Sequence, residues 1–137
     1  MIRYEEWISR AKGSLRLSKV AITFAVDNEY YYEDLCYQTQ QAAEKAIKSF
    51  LIYFNVEPNF THNIETLINE LEKFTEVPDN VKKAAELTVY AVLTRYPGWN
   101  EEITKEKYEQ AVKTAEECVY WVENKIKDIE KKKSPNC

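Results

Sequence analysis

Residues 35–54, LCYQTQQAAEKAIKSFLIYF, contain neither glycine nor proline, and Leu35, Ala42, Ala43, Ala46, Ile47, Phe50, Leu51 and Phe54 recur at steps of three and four. That spacing is one face of a helix. Extended outward, the pattern predicts a helix from about Tyr30 to Phe54, entered from a turn at Asp27-Asn28 and broken by Asn55 to Phe60, where Pro58 stands. At 1.5 Å per residue it rises roughly 35 Å.

On the N-terminal side, Trp7, Ala11, Leu15, Ile22 and Ala25, with Ser18 filling the gap, predict a partner helix from about Tyr4 to Val26, weakened slightly by Gly13. The short link makes the two an antiparallel hairpin. On the C-terminal side Thr61 is the expected cap of a third helix carrying Ile64, Leu67, Ile68, Leu71 and Phe74, which ends before Pro78. A fourth is expected from the cap Asp79 through Val81, Ala84, Ala85, Thr88, Val89 and Val92 to Arg95 or Tyr96, where Pro97-Gly98 stops it. Thr104 then caps a long fifth helix with Tyr108, Ala111, Val112, Ala115, Cys118, Val119, Val122, Ile126 and Ile129 on one face. The expected fold is all-α, an up-and-down bundle of about five helices forming one domain over residues 1–137, with 131–137 as a frayed tail.

Composition agrees with that reading. The chain has 137 residues, 45% hydrophobic and 31% charged, with only 2 glycines and 4 prolines to punctuate it. This is a globular balance with long elements and no membrane-length apolar run. Its 19 basic against 23 acidic residues give a net charge of −4, without the overall basic excess of a general nucleic-acid binder. Met1 to Trp7 carries Arg3, Glu5 and Glu6 where a signal peptide needs an apolar core, so a cytoplasmic location is expected. The 3 cysteines, Cys36, Cys118 and Cys137, are far apart and without a CxxC or histidine cluster; neither a disulfide framework nor a zinc site is implied. No glycine-rich phosphate loop is present, since Gly13 and Gly98 stand alone. No cofactor is expected.

Three short strings bear a family likeness. The run Gln40-Gln41-Ala42-Ala43-Glu44-Lys45-Ala46-Ile47-Lys48 on the second helix, Thr61-His62-Asn63-Ile64 at the third, and Thr94-Arg95-Tyr96-Pro97 after the fourth occur in the order and spacing of the HEPN family, which the chain resembles over essentially its whole length. The resemblance implies a helical bundle, frequent homodimers, and a role in nucleotide or RNA transactions, often beside a small partner nucleotidyltransferase in a toxin–antitoxin-type pair. Nuclease branches of the family carry an arginine, a spacer of a few residues and a histidine. Arg95 fits the first half, but Asn100, Glu101 and Glu102 stand where the histidine would fall. RNA cleavage through the 2′-hydroxyl needs proton traffic and a cation at the phosphorane. A carboxylate there would repel the phosphate and, ionised near neutral pH, would be a poor acid.

The candidate binding residues are Arg95, Tyr96, Gln41, Lys45, Tyr37 and Lys48. Arg95 continues the face of Val81, Thr88 and Val92, so its stem should point inward, toward helix-end carbonyls and a buried acid or toward a phosphate. Tyr96 would either stack on a base or pack at the turn. Tyr30, Asp34, Tyr37, Gln41, Lys45 and Lys48 form a stripe suited to bases and phosphates, or else a solvated face with pairs such as Glu44 to Lys48. Ala42, Ala43 and Ala46 are small enough for close helix packing, within the domain or across a dimer. His62, the lone histidine, suits a backbone contact at a helix start better than a metal, for which no ligand set exists. Lys125 to Lys133 form a basic terminus interrupted by Asp128 and Glu130, as a solvated helix end would. Two functions are compatible with these residues: a non-catalytic nucleotide- or RNA-binding module, or a metal-independent ribonuclease in which Arg95 acts with Asn100, Glu101, Tyr96 or His62 in place of the missing histidine.

Overall fold

The computed structural model describes residues 3–23, 32–93 and 103–133, and every regular element among them is helical. In chain order these are α1 (Tyr4–Ser18), α2 (Val20–Thr23), α3 (Tyr32–Tyr53), α4 (Ile64–Leu71), α5 (Asp79–Lys82), a 3₁₀ segment (Lys83–Thr88), α6 (Val89–Leu93) and α7 (Lys105–Lys133). The expected all-α bundle is present. No described helix is long and apolar enough to cross a membrane.

The bundle is built around α3, which is buried on nearly all sides because α1, α4, the 3₁₀ segment, α6 and α7 all pack on it. Cross-links give the directions. Lys45 reaches Ser14 and Ser49 reaches the Tyr4 carbonyl, so α1 and α3 run antiparallel. Tyr32 stacks on Tyr108 and Tyr53 donates to Glu130, so α7 runs parallel to α3. Ion pairs Lys12 to Glu123 and Lys19 to Glu116 fasten α1 to α7. Ala42, Ala43 and Ala46 are wholly buried inside the single chain, so of the two expected uses of these small side chains the one realised is packing within the domain. Asn55, at φ 64°, closes α3 in the left-handed conformation, and the Val56 amide returns to the Leu51 carbonyl.

The first, third and fourth helices differ from the expectation. The first helix does not continue unbroken toward Val26: it ends at Ser18 and a short α2 comes after Lys19, while residues 24–31 lie outside the described set. The reason is tertiary. The buried Tyr108 hydroxyl donates to the Ser18 carbonyl, and the Ile22 amide, which would have used that carbonyl, bonds Lys19 instead. Ser18 also turns its own hydroxyl onto the Leu15 carbonyl, a contact that bends helices. In the third helix the cap is Asn63, whose side chain accepts from the Thr66 amide; Thr61 instead accepts from the Asn63 amide, ahead of the helix. Phe74 lies beyond α4 and stacks on Phe54 at 5.0 Å.

The fourth helix is not uniform. Pro78 stands at its cap position with Asp79 inside the first turn, and Lys83–Thr88 is wound as 3₁₀. Six residues at 3.0 rather than 3.6 per turn rotate the succeeding α6 by roughly 120°. The buried positions accordingly run Val81, Ala84, Leu87, Ala91, while Val92 is 55% exposed and Val89 is exposed as well. The face expected to carry Val81, Thr88, Val92 and Arg95 is therefore divided. At the C-terminus α7 runs to Lys133, whose ammonium sits 5.1 Å from the Tyr53 ring; residues 134–137 lie outside the described set.

Gly13 sits within α1, and a Cβ built there meets nothing within 4 Å. Gly13→Ala is expected to raise unfolding stability by about 0.5–1 kcal/mol, the helix-propensity difference, in a urea titration.

Candidate functional site

The polar residues of the 40–48 string converge on one carboxylate. Gln40, Glu44 and Lys48 are spaced by four on α3 and therefore share a side of the helix. Glu44 is 5% exposed; its Oε2 accepts from Lys48 Nζ at 2.8 Å and its Oε1 from Gln40 Nε2 at 2.9 Å. The His62 ring reaches the same Oε1 with Nδ1 at 2.8 Å, and the His62 carbonyl accepts from Gln40 at 3.1 Å. Gln41 completes the chain by donating to Gln40. Its buried members Gln40, Glu44 and Lys48 are each hydrogen-bonded within the set, as burial requires. Burial pushes the Glu44 carboxyl pKa up, but hydrogen bonds from Lys48, Gln40 and His62 and the Lys48 charge outweigh it and hold it below the ordinary 4.5.

This changes the meaning of the stripe expected on the second helix. Lys48 is not a solvated cation but a buried partner of Glu44, with its ammonium also 6.0 Å from the Trp7 ring. Lys45 is half-buried and donates to Ser14 on α1; burial pushes its pKa down, an effect the nearby Glu44 charge opposes and Arg10 reinforces. Gln41 and Tyr37 are half-buried beside it. Of the stripe, Lys45 and Lys48 thus face α1, whereas Asp34 is exposed. His62 binds a side-chain carboxylate rather than a backbone group, tying the α3–α4 connection to the core, and its own side chain stays 54% exposed. Gln40 belongs to the set although it is not among the candidates expected from sequence. The signal for it is its position four residues before Glu44.

At the other end of α3, the 3₁₀ segment, α6 and the start of α7 enclose a cleft of about 440 Å³ with Leu87 and Ala111 in its lining and Glu86, Glu106, Lys107 and Gln110 as its polar groups. Arg95 and Tyr96 come after α6 in the chain, and they, together with Thr94, Pro97, Gly98, Asn100, Glu101 and Glu102, lie outside the described residues, as do Tyr30 and Cys137. Among the described residues no group of three or more His, Cys, Asp or Glu is placed to hold a metal. Cys36 and Cys118 are buried, and burial pushes both thiols up to about 12, leaving little thiolate at neutral pH.

Known proteins are similar to this chain in sequence and fold. The family model described as HEPN domain matches residues 4–125. An archaeal HEPN homologue, ST0689, is 28% identical with a TM-score of 0.70, covering 92% of this chain and 99% of its own. TT1696 from Thermus thermophilus is 27% identical with a TM-score of 0.77, over 91% of this chain and 99% of its own. No curated protein matches.

Removing the carboxylate strands a buried ammonium, so Glu44→Ala is expected to cost about 3–5 kcal/mol in a denaturant titration. Because the folded Glu44 pKa is lowered, its contribution is present above the unfolded value and is lost as pH falls through the folded one. Stability of the wild type measured between neutral and acid pH should therefore fall below about pH 4.5, with a shallower acid limb in Glu44→Gln.

Proposed function

The chain belongs to the HEPN family, and from that premise we propose that it is a nucleotide- or RNA-binding module without catalysis of its own. The observation that carries the reading is the identity of the residues after Arg95: Asn100, Glu101 and Glu102 occupy the positions at which the family's ribonucleases place a histidine. The lone histidine of the chain is committed to Glu44. Arg95 supplies the phosphate contact in this reading, with Tyr96 stacking beside it and Gln41, Lys45 and Tyr37 as the further candidates on α3; Lys48, buried against Glu44, is not one of them. The module acts as a homodimer, a reading supported by the exposed apolar pair Val89 and Val92 on α6, and it works beside a small nucleotidyltransferase in a toxin–antitoxin-type pair in the cytoplasm.

One observation favours a second reading, a metal-independent ribonuclease. With Nδ1 held by the buried Glu44, His62 presents Nε2 outward without a hydrogen-bond partner among the described residues, an arrangement suited to a general base.

A single experiment separates the two: wild type and Arg95→Ala are titrated with mixed RNA in EDTA, binding is followed by calorimetry, and RNA integrity is read on a gel. The binding module predicts intact RNA throughout and affinity about 10- to 100-fold weaker in Arg95→Ala, the loss of a charge-assisted hydrogen bond. Arg95-dependent cleavage would replace it with the ribonuclease. Absence of RNA and nucleotide binding by the wild type would overturn both.

A further inference from the structure

Between the first turns of α1 and the C-terminal half of α7 lies a groove of about 390 Å³, lined by Tyr4, Glu5 and Ile8 and by residues of α7 from Glu123 to Lys131. Its floor is apolar. Ile126 is buried, while Tyr4 and Ile8, one turn apart on α1, pack on the core and keep part of their surface in the groove. The Tyr4 ring is held edge-on by Tyr53 at 5.2 Å, and the Lys12–Glu123 ion pair bridges the two helices at one end of the groove.

The charges around this floor are not equivalent. Glu5 is paired with Arg3 and Glu123 with Lys12, each at 2.5 Å, so both acids are neutralised by the protein itself. Glu130 gives one oxygen to the Tyr53 hydroxyl at 2.7 Å. Lys127 and Lys131 have no carboxylate within 4.0 Å among the described residues. They stand one turn apart on α7, an arrangement in which like charges repel. The helix dipole accounts for Lys131, which lies in the last turn, but Lys127 stands a turn earlier. With the two ion pairs cancelled, two ammoniums against the Glu130 carboxylate leave one positive charge beside the apolar floor.

Size decides between classes of occupant. Protein interfaces engage roughly 20–30 residues a side, whereas eight line this groove. Its volume instead falls among sites that enclose small organic molecules, roughly 300–1,000 Å³. From Glu123 to Lys131 the groove runs roughly 12 Å along α7, room for a short alkyl chain. Lysine stems extend the apolar wall while their heads stay at the water edge.

We propose that this groove binds a small amphiphilic anion, a medium-chain carboxylate, with its chain on Tyr4, Ile8 and Ile126 and its carboxylate between the Lys127 and Lys131 ammoniums. The site is independent of the nucleotide- or RNA-binding reading and uses neither Arg95 nor the candidates on α3.

The full chain is titrated by calorimetry with decanoate and with decyltrimethylammonium, which has the same tail and the opposite charge, both kept below micelle formation. Lys127→Gln/Lys131→Gln is compared with Lys105→Gln/Lys113→Gln, which removes the same charge from the other half of α7. All four positions are exposed, so the fold is kept, as circular dichroism verifies. The expected result is saturable decanoate binding, about 10- to 100-fold weaker in Lys127→Gln/Lys131→Gln and unchanged in the control pair, with no saturable binding of the cation. Absence of saturable decanoate binding by the wild type overturns the site, and so does equal affinity for the two probes. Equal weakening in both double variants reduces the effect to net charge and overturns it as well. Sedimentation with phosphatidylglycerol vesicles without binding of monomeric decanoate assigns the lysines to a lipid surface and likewise overturns the groove.

Discussion

A helix buried on nearly every side has no solvent in which to place its polar groups, and α3 is such a helix. Glu44, Lys48, Gln40, Thr39 and Ser49 are all buried on it, so each must find a partner inside the protein or carry the cost of desolvation. Thr39 and Ser49 meet this requirement with backbone carbonyls, Cys36 on the same helix and Tyr4 on α1. The charged residues meet it with one another. A Glu and a Lys four apart, worth a few tenths of a kcal/mol on a wet helix, become mutually indispensable here, because either alone would leave an uncompensated charge in the interior.

The rest of the architecture takes its register from that demand. Glu44 has more hydrogen-bonding capacity than Lys48 can use, and the remainder is taken by Gln40 and by His62 from the α3–α4 connection. The connection is thereby set against α3, and α4 starts from a fixed point at Asn63. The first backbone amide of α4 then bonds the Thr88 hydroxyl at the end of the 3₁₀ segment. A chain of specific polar contacts thus runs from the central carboxylate to the element that leads to α6. Apolar packing alone is non-directional and would tolerate several such registers; directed hydrogen bonds from buried groups do not.

The two ends of α3 differ in consequence. Near Cys36 the neighbours are Tyr32, Tyr90 and Tyr108, beside a cleft rimmed by the acids Glu86 and Glu106. Near Ile52 they are Trp7, Phe60 and a small pocket that also has Lys48, Glu57 and Asn59 in its lining.

Much was legible in the sequence because it depends on periodicity. The helical class, the helix over residues 32–53 and the core faces of α4 and α7 all derive from where apolar residues recur, and a recurrence, like the short link that makes the first hairpin antiparallel, is a local property of the chain. The family likeness was legible for the same reason, being carried by short contiguous strings. What only the tertiary structure decided were the places where a distant group competes for a local one. Tyr108 takes the Ser18 carbonyl and ends α1; the buried sequence Val81, Ala84, Leu87 winds a 3₁₀ turn that rotates Val92 into solvent; and Glu44 and Ser14 engage Lys48 and Lys45, so the two cations of a stripe legible as a wet face are held inside the bundle. Spacing along the chain states which side chains share a side of a helix. Whether that side meets water, a backbone or another charge depends on residues tens of positions away, and that was settled only when the helices packed.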